Sequence, residues 1–330
     1  RDQAAGIAPS REPEQIRHWL AEVSQMVRAV RDVGPPPLGG VTDISAALDR
    51  AHPSGGASPE DYAQIASVLQ AAGNVRAYLA ALPEELNLLH ALGEGIGEFA
   101  AETEAIRAVV DSDGTIRDDA SPRLGDLRRQ KERIARAIHD QIYGYLRQAD
   151  VAKLLQNPTV TLHEGRYVLP VKADNRGRLP GVVHRVSHSG ATVFVEPNTC
   201  VELNNHLADL CDDEAREVQR LLNELALKVQ KRERPIRQTL RALAQVDLVS
   251  AKAQYAYQLD MTCPEIQDAG PVVLSQARHP LLVDQAWRQE RAGVPPEQRH
   301  TVVPIDVRLG VDFDLLIVTG SNTGGKTVTL

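Results

Sequence analysis

Eight residues, Gly320-Ser321-Asn322-Thr323-Gly324-Gly325-Lys326-Thr327, carry the spacing G-x-x-x-x-G-K-[ST] of a phosphate-binding loop. In such a loop successive backbone N–H groups wrap a polyphosphate, and the glycines let the chain close tightly around it. Lys326 reaches the outer phosphates, and the Thr327 hydroxyl takes a place on Mg²⁺. The run Phe313-Asp314-Leu315-Leu316-Ile317-Val318 reads as a buried strand feeding the loop. The helix whose positive N-terminus would hold the phosphates has barely begun at Leu330. No second acidic strand follows to complete the metal site. The sequence therefore predicts a nucleotide site with weak binding at most, no complete catalytic set and no hydrolysis by this chain alone.

A second group lies between Gly165 and Val195. Arg166, Lys172, Arg176, Arg178 and Arg185 stand there against a single acid, Asp174, in a chain whose net charge is −7. This local reversal of sign would attract a phosphate backbone, with a steep dependence on salt. A solvated β surface that happens to be basic fits the composition equally well. His184 and His188 add donors, but their spacing and lack of acidic or thiol neighbours argue against a metal site. Asp111-Ser112-Asp113-Gly114 opens like a calcium loop, lacks the later ligands and reads as a turn.

Helices dominate the elements that must position these groups. The chain of 330 residues is 42% hydrophobic and 25% charged but only 4% aromatic, which favours long helices over a β-sandwich. Residues 1–120 read as a helical core. Arg11 to Val33 forms one amphipathic stripe, Ser58-Pro59 opens another helix, and a further helical stretch runs from Pro83 to Val110. Ser121-Pro122 starts a long outgoing helix (121–158) with a seam of Leu124, Leu127, Ile134, Ile138, Ile142, Tyr145 and Ala149. A returning helix (201–234) carries Leu203, Leu207, Cys211, Val218, Leu221, Leu225 and Val229, and a separate core helix (235–262) follows Pro235.

Between the two long helices, residues 159–200 switch to a period of two. Thr159 to Leu162, Arg166 to Lys172, Val182 to Val186 and Ala191 to Val195 read as strands, separated by glycine-containing turns. Residues 263–330 read as the incomplete start of an α/β nucleotide-binding domain. The fold class is mainly α with a small β module (α+β), the module sitting on the end of two antiparallel helices. Three cysteines without C-x-x-C spacing fit a reduced cytoplasmic compartment without structural zinc. No membrane span or signal peptide is visible, and the missing initiator Met suggests a trimmed N-terminus.

This order of elements resembles the MutS family, in which core, lever, clamp and ATPase domains follow one another. Specific blocks narrow the resemblance to its second bacterial branch, MutS-II. They are Gly34 to Gly40, Gly165 to Lys172, Gly190 to Pro197, Val201-Glu202-Leu203-Asn204-Asn205, Ala277 to Leu282 and Thr319 to Leu330. The resemblance implies a recombination-suppressing protein that acts on branched DNA, dimerises through its ATPase domains and carries a distant Smr endonuclease domain. It also implies ATP and Mg²⁺ at Gly320 to Thr327, with Val302 and Val303 against the adenine. Ser321 stands where the family usually has proline and Ile305 where asparagine is common, so a polar contact at 305 is not carried over.

Phe194-Val195-Glu196 has the Phe-x-Glu form that mismatch-sensing relatives insert into DNA. Those relatives carry it in a separate N-terminal domain, whereas here it alternates along a strand, where Phe194 is expected in the core of the β module. The leading expectation is an ATP-regulated clamp on DNA, branched or duplex. The resemblance also implies a second partner, structured RNA of stalled or collided ribosomes. A coiled-coil interaction scaffold, its basic strands incidental, is the alternative of another class. A generic P-loop kinase fits poorly, because it would place the loop near the start of its catalytic domain.

Overall fold

The computed structural model describes residues 2–319 and contains two compact units. It is mostly helical, with a small antiparallel sheet. Among the described residues, the first unit comprises 2–41, 71–98 and 235–319, and the second comprises 42–70 and 99–234.

In the first unit the stripe around Trp19 forms the Pro13–Asp32 helix, which buries Met26 and Ala29. Its Gln25 side chain caps the start of the Asn87–Glu94 helix: Oε1 accepts from the Leu88 N–H at 3.0 Å and Nε2 donates to Asn87 Oδ1 at 2.9 Å. The stretch expected as one helix from Pro83 to Val110 is two helices, Asn87–Glu94 and Ala100–Arg107. The break has a packing cause. A Cβ on Gly95 would stand 3.1 Å from Ala242 Cβ, and the Gly97 N–H donates to the Thr239 hydroxyl at 2.8 Å instead of to a helical carbonyl.

Later in this unit, β5 (Val272–Ala277) pairs antiparallel with β6 (Ile305–Leu309). Between them lies the Pro280–Arg291 helix, whose first turn is capped by His279. Residues 313–318 are not a strand, contrary to the sequence expectation. Leu315 and Ile317 are more than 70% exposed. A continuous apolar run becomes a buried strand only where neighbouring strands satisfy its backbone, and none among the described residues pairs with it.

The second unit is built on two antiparallel helices. Pro122–Leu146 begins at Ser121, whose hydroxyl accepts from the Leu124 N–H at 3.1 Å, as the Ser-Pro start predicts. Asn198–Gln258, 61 residues long with Pro235 inside it, runs back antiparallel, its first part alongside Pro122–Leu146. The separate helices expected on either side of Pro235 are thus one element, which passes from the second unit to the first at that proline. The antiparallel register shows in side-chain pairs: Ser121 with Glu217, Arg128 with Glu214, Gln141 with Cys200 and Tyr145 with Thr199.

The seam between these helices differs from the predicted one in detail. Leu124, Leu127, Ile138, Ile142, Leu207, Leu221 and Leu225 are buried. Cys211 is exposed, Leu210 fills the buried position beside it, and two polar residues, Asn204 and Glu217, are buried in the same row. The outgoing helix also stops at Leu146, before Ala149, and a single further turn spans Ala149–Ala152.

The segment between the helices forms a four-stranded antiparallel sheet in the order β1-β2-β4-β3: Thr161–His163, Arg166–Lys172, Thr192–Pro197 and Gly181–Val186. Glu164 and Gly165, both with positive φ, close the two-residue turn between β1 and β2. Gly181 pairs with Pro197, and any Cβ there would lie 2.2 Å from the Glu196 carbonyl oxygen, so only glycine fits.

Candidate nucleic-acid interface

Residues opposite one another in antiparallel strands share a face, and side chains alternate between faces along each strand. Leu169 pairs with Val195 and Val171 with Val193, which places all four on the inner face. They pack with Ile138, Ile142, Leu155, Cys200 and Leu207 of the flanking segments. The outer face carries His163, Arg166, Val168, Pro170, Lys172, Thr192, Phe194, Glu196 and Arg185. Phe194 is therefore not part of the inner core, contrary to expectation. Alternation puts Val193 and Val195 inward and turns Phe194 to the other side, where its half-buried ring stacks on His163 at 6.1 Å between centroids.

The five basic residues expected to meet phosphate divide into two kinds. Arg166 is engaged within the protein: its Nη1 donates to both oxygens of Glu196 at 3.0 and 3.2 Å, and its Nη2 donates to Asn205 Oδ1 at 2.6 Å. Lys172, Arg176, Arg178 and Arg185 are exposed. The Lys172 ammonium donates to the Lys153 carbonyl at 3.4 Å. Arg176 and Arg178 flank Gly177, whose positive φ turns the chain toward β3. The segment from Lys172 to Arg178 is joined to the β3–β4 hairpin by the Ala173 N–H donating to the Ala191 carbonyl at 3.0 Å. Three of the exposed cations thus come from the end of the sheet opposite Arg166 and Glu196, and Arg185 from its edge strand.

Glu196 organises that other end. It is 1% exposed and accepts from Arg166, from Asn204 Nδ2 at 2.7 Å and from His184 Nε2. Asn204, itself fully buried, also bonds both backbone groups of Tyr167. His184 therefore has the acidic partner that the sequence seemed to lack, because β3 lies beside β4 and brings Glu196 across. Among the described residues no cluster of three metal-ligating side chains forms. The Asp111–Gly114 segment is a turn, as expected, with Asp113 accepting from Thr115. The sequence signal for the Glu196 hub was an acid at a strand position bordering Val195 and Pro197, both buried.

The groove between the helices has the opposite electrostatic character. A cleft of about 640 Å³ between the helices is lined by Asp126, Asp209 and Asp213 with Arg123 and His206. Beside it, Arg128 pairs with Glu214 and Asp118, and Lys131 pairs with Glu214.

The phosphate-loop residues Gly320 to Thr327 lie outside the described residues. Of the residues expected beside the adenine, Val302 is half-buried and Val303 is 73% exposed. Ile305 sits in β6, facing the end of β5 at Ala277. No described helix is long and apolar enough to cross a membrane.

No family model matches the chain. The whole chain is 36% identical to Endonuclease MutS2 of Geobacillus sp. (strain WCH70), covering 41% of that protein, and 37% identical to Endonuclease MutS2 of Symbiobacterium thermophilum, covering 39% of it. Over 98% of its length it is 33% identical to the Putative endonuclease MutS2 of Bacillus subtilis (strain 168), covering 40% of that protein. The chain spans about two fifths of the length of these curated relatives.

Proposed function

We propose that this chain, which belongs to the MutS2 family, is the nucleic-acid-gripping part of an ATP-regulated protein that acts on branched DNA and thereby suppresses recombination. The observation that carries the reading is the set of exposed cations Lys172, Arg176, Arg178 and Arg185 on the sheet, against an acidic cleft between the helices. A sheet held on the ends of two antiparallel helices works as a clamp, because a change of helix position moves its basic end as one body. Endonuclease activity belongs, on this reading, to the whole protein and comes from residues other than these, as the names of the relatives suggest.

ATP with Mg²⁺ is the proposed controlling ligand, supplying the free energy of its binding and hydrolysis. Gly320 to Thr327 hold its phosphates, Lys326 balances their charge, Thr327 ligates the metal and Val302 and Val303 flank the adenine. Nucleotide occupancy then biases the helix pair, and with it the clamp, in a cytoplasmic homodimer. Titration of labelled duplex, four-way-junction DNA and structured RNA onto the chain tests the grip. Binding that weakens steeply with salt and with Arg176→Gln/Arg178→Gln supports it. Failure of every nucleic acid to bind at low salt refutes it and leaves a protein-interaction scaffold, while preference for structured RNA moves the target to the ribosome.

A further inference from the structure

We propose that the outer face of the β1–β4 sheet is a stacking platform for single-stranded DNA. Phe194 and His163 form its aromatic floor, and Lys172 and Arg185 hold its phosphates. The inference rests on the nucleic-acid reading above and narrows it to a strand whose bases are unpaired.

Three observations point this way. The Phe194 and His163 rings lie within 29° of parallel on the face turned away from the inner core, each partly exposed while Val168 and Pro170 of the same face are buried. Two cations neighbour Phe194 in the sheet lattice. Arg185 is directly opposite Phe194 on β3, and Lys172 is opposite Thr192, two residues along β4. Such neighbours are roughly 5 Å apart across strands and 7–8 Å on the diagonal, the scale of one nucleotide step. Aromatic rings beside cations bind single strands with little regard to sequence, because every base offers a π-face that a duplex keeps stacked inside.

The third observation removes a competing use of the same motif. Insertion of a Phe-x-Glu motif into a duplex brings both its aromatic ring and its carboxylate to the DNA. Glu196 is 1% exposed and tied to Arg166, Asn204 and His184. Phe194 is left to stack on bases already unpaired, as at the crossing point of a branched DNA.

The test uses the whole chain, a labelled oligothymidylate, a duplex of the same length and an oligouridylate, all at one salt concentration. The single-stranded DNA is expected to bind more tightly than the duplex. Phe194→Leu, which keeps an apolar side chain on the sheet, is expected to weaken single-strand binding about fivefold or more and leave duplex binding within about twofold. Phe194→Trp is expected to restore it. Amide-exchange protection of β2 and β4 establishes that the Leu variant is folded. Unchanged single-strand affinity in a folded Phe194→Leu, or tighter binding of the duplex, would overturn the platform while leaving the clamp intact. Tighter binding of oligouridylate would overturn the choice of DNA. Absence of all binding would overturn the clamp itself.

Discussion

Arg166 donates two hydrogen bonds to Glu196, a carboxylate at the inner end of β4 that is almost wholly removed from water. The pair joins β2 to β4, and Asn204 and Asn205 bind it to the first turns of the long helix. Three sequence blocks that are far apart in the chain, around Arg166, Glu196 and Asn204, therefore meet in one network. That network fixes how the sheet sits on its helix.

Removing one side of a buried pair leaves the other charge uncompensated, which costs about 3–5 kcal/mol. Arg166→Leu is therefore expected to destabilise the sheet by that order, read as lost amide protection in β2 and β4. Arg166→Leu/Glu196→Leu, which removes both charges, is expected to recover most of the loss. If Arg166→Leu instead lowers nucleic-acid affinity with protection unchanged, Arg166 is a phosphate contact and not a strut.

The other end of the helix pair depends on pH. Glu217 is 1% exposed and has its pKa lowered to about 2, first by its hydrogen bonds from Arg220 and then, against the cost of burial, by the Ser121 hydroxyl at 2.7 Å. A carboxylate depressed in this way stabilises the fold above its ordinary value near 4.5 and loses that contribution as pH falls toward 2. The Glu217→Gln variant is expected to be less stable than the parent at neutral pH, with the gap closing between pH 4.5 and 2. Urea midpoints measured across that window check it, and a gap independent of pH would show that Glu217 acts by packing alone. Ser121→Ala, which removes both the helix cap and this donor, is expected to cost about 1–2 kcal/mol at pH 7.

Where the sequence pattern was local, it was a good guide. Ser121-Pro122 marked a helix start to the residue, and β2 matches its reading because its alternation is bounded by Gly165 and Lys172. Features that depend on partners distant in the chain were not legible. The pairing of Arg166 needed Glu196, thirty positions away, and the side of the sheet that Phe194 faces needed the packing of Leu169 and Val171. Residues 313–318 have the composition of a buried strand, but composition supplies no neighbours.

Pro235 shows the same limit from the other direction. Proline cannot donate to the carbonyl four residues back and usually ends a helix, which is why the sequence reads as two. The apolar row continues on both sides: Val229 is 1% exposed in the second unit and Ile236 is buried in the first. Burial of that row outweighs the lost bond. Pro235→Ala is expected to slow amide exchange across 231–239 and raise the unfolding midpoint, because the missing N–H is restored. Faster exchange would show that the ring itself holds the two stretches in line.

The exposed cations should separate from Arg166 by their salt dependence. Each phosphate neutralised on a duplex contributes about −0.9 to the slope of log affinity against log salt. Arg176→Gln and Arg178→Gln are each expected to reduce the magnitude of that slope by about 1 and to weaken duplex and junction DNA alike, since phosphate contacts do not read sequence. Both side chains are exposed beside Gly177, so the substitutions should leave the unfolding midpoint unchanged. Arg166→Gln should do the reverse, lowering stability with little change in slope. A slope unchanged in Arg176→Gln/Arg178→Gln would remove this turn from the interface and leave Lys172 and Arg185 as the phosphate contacts.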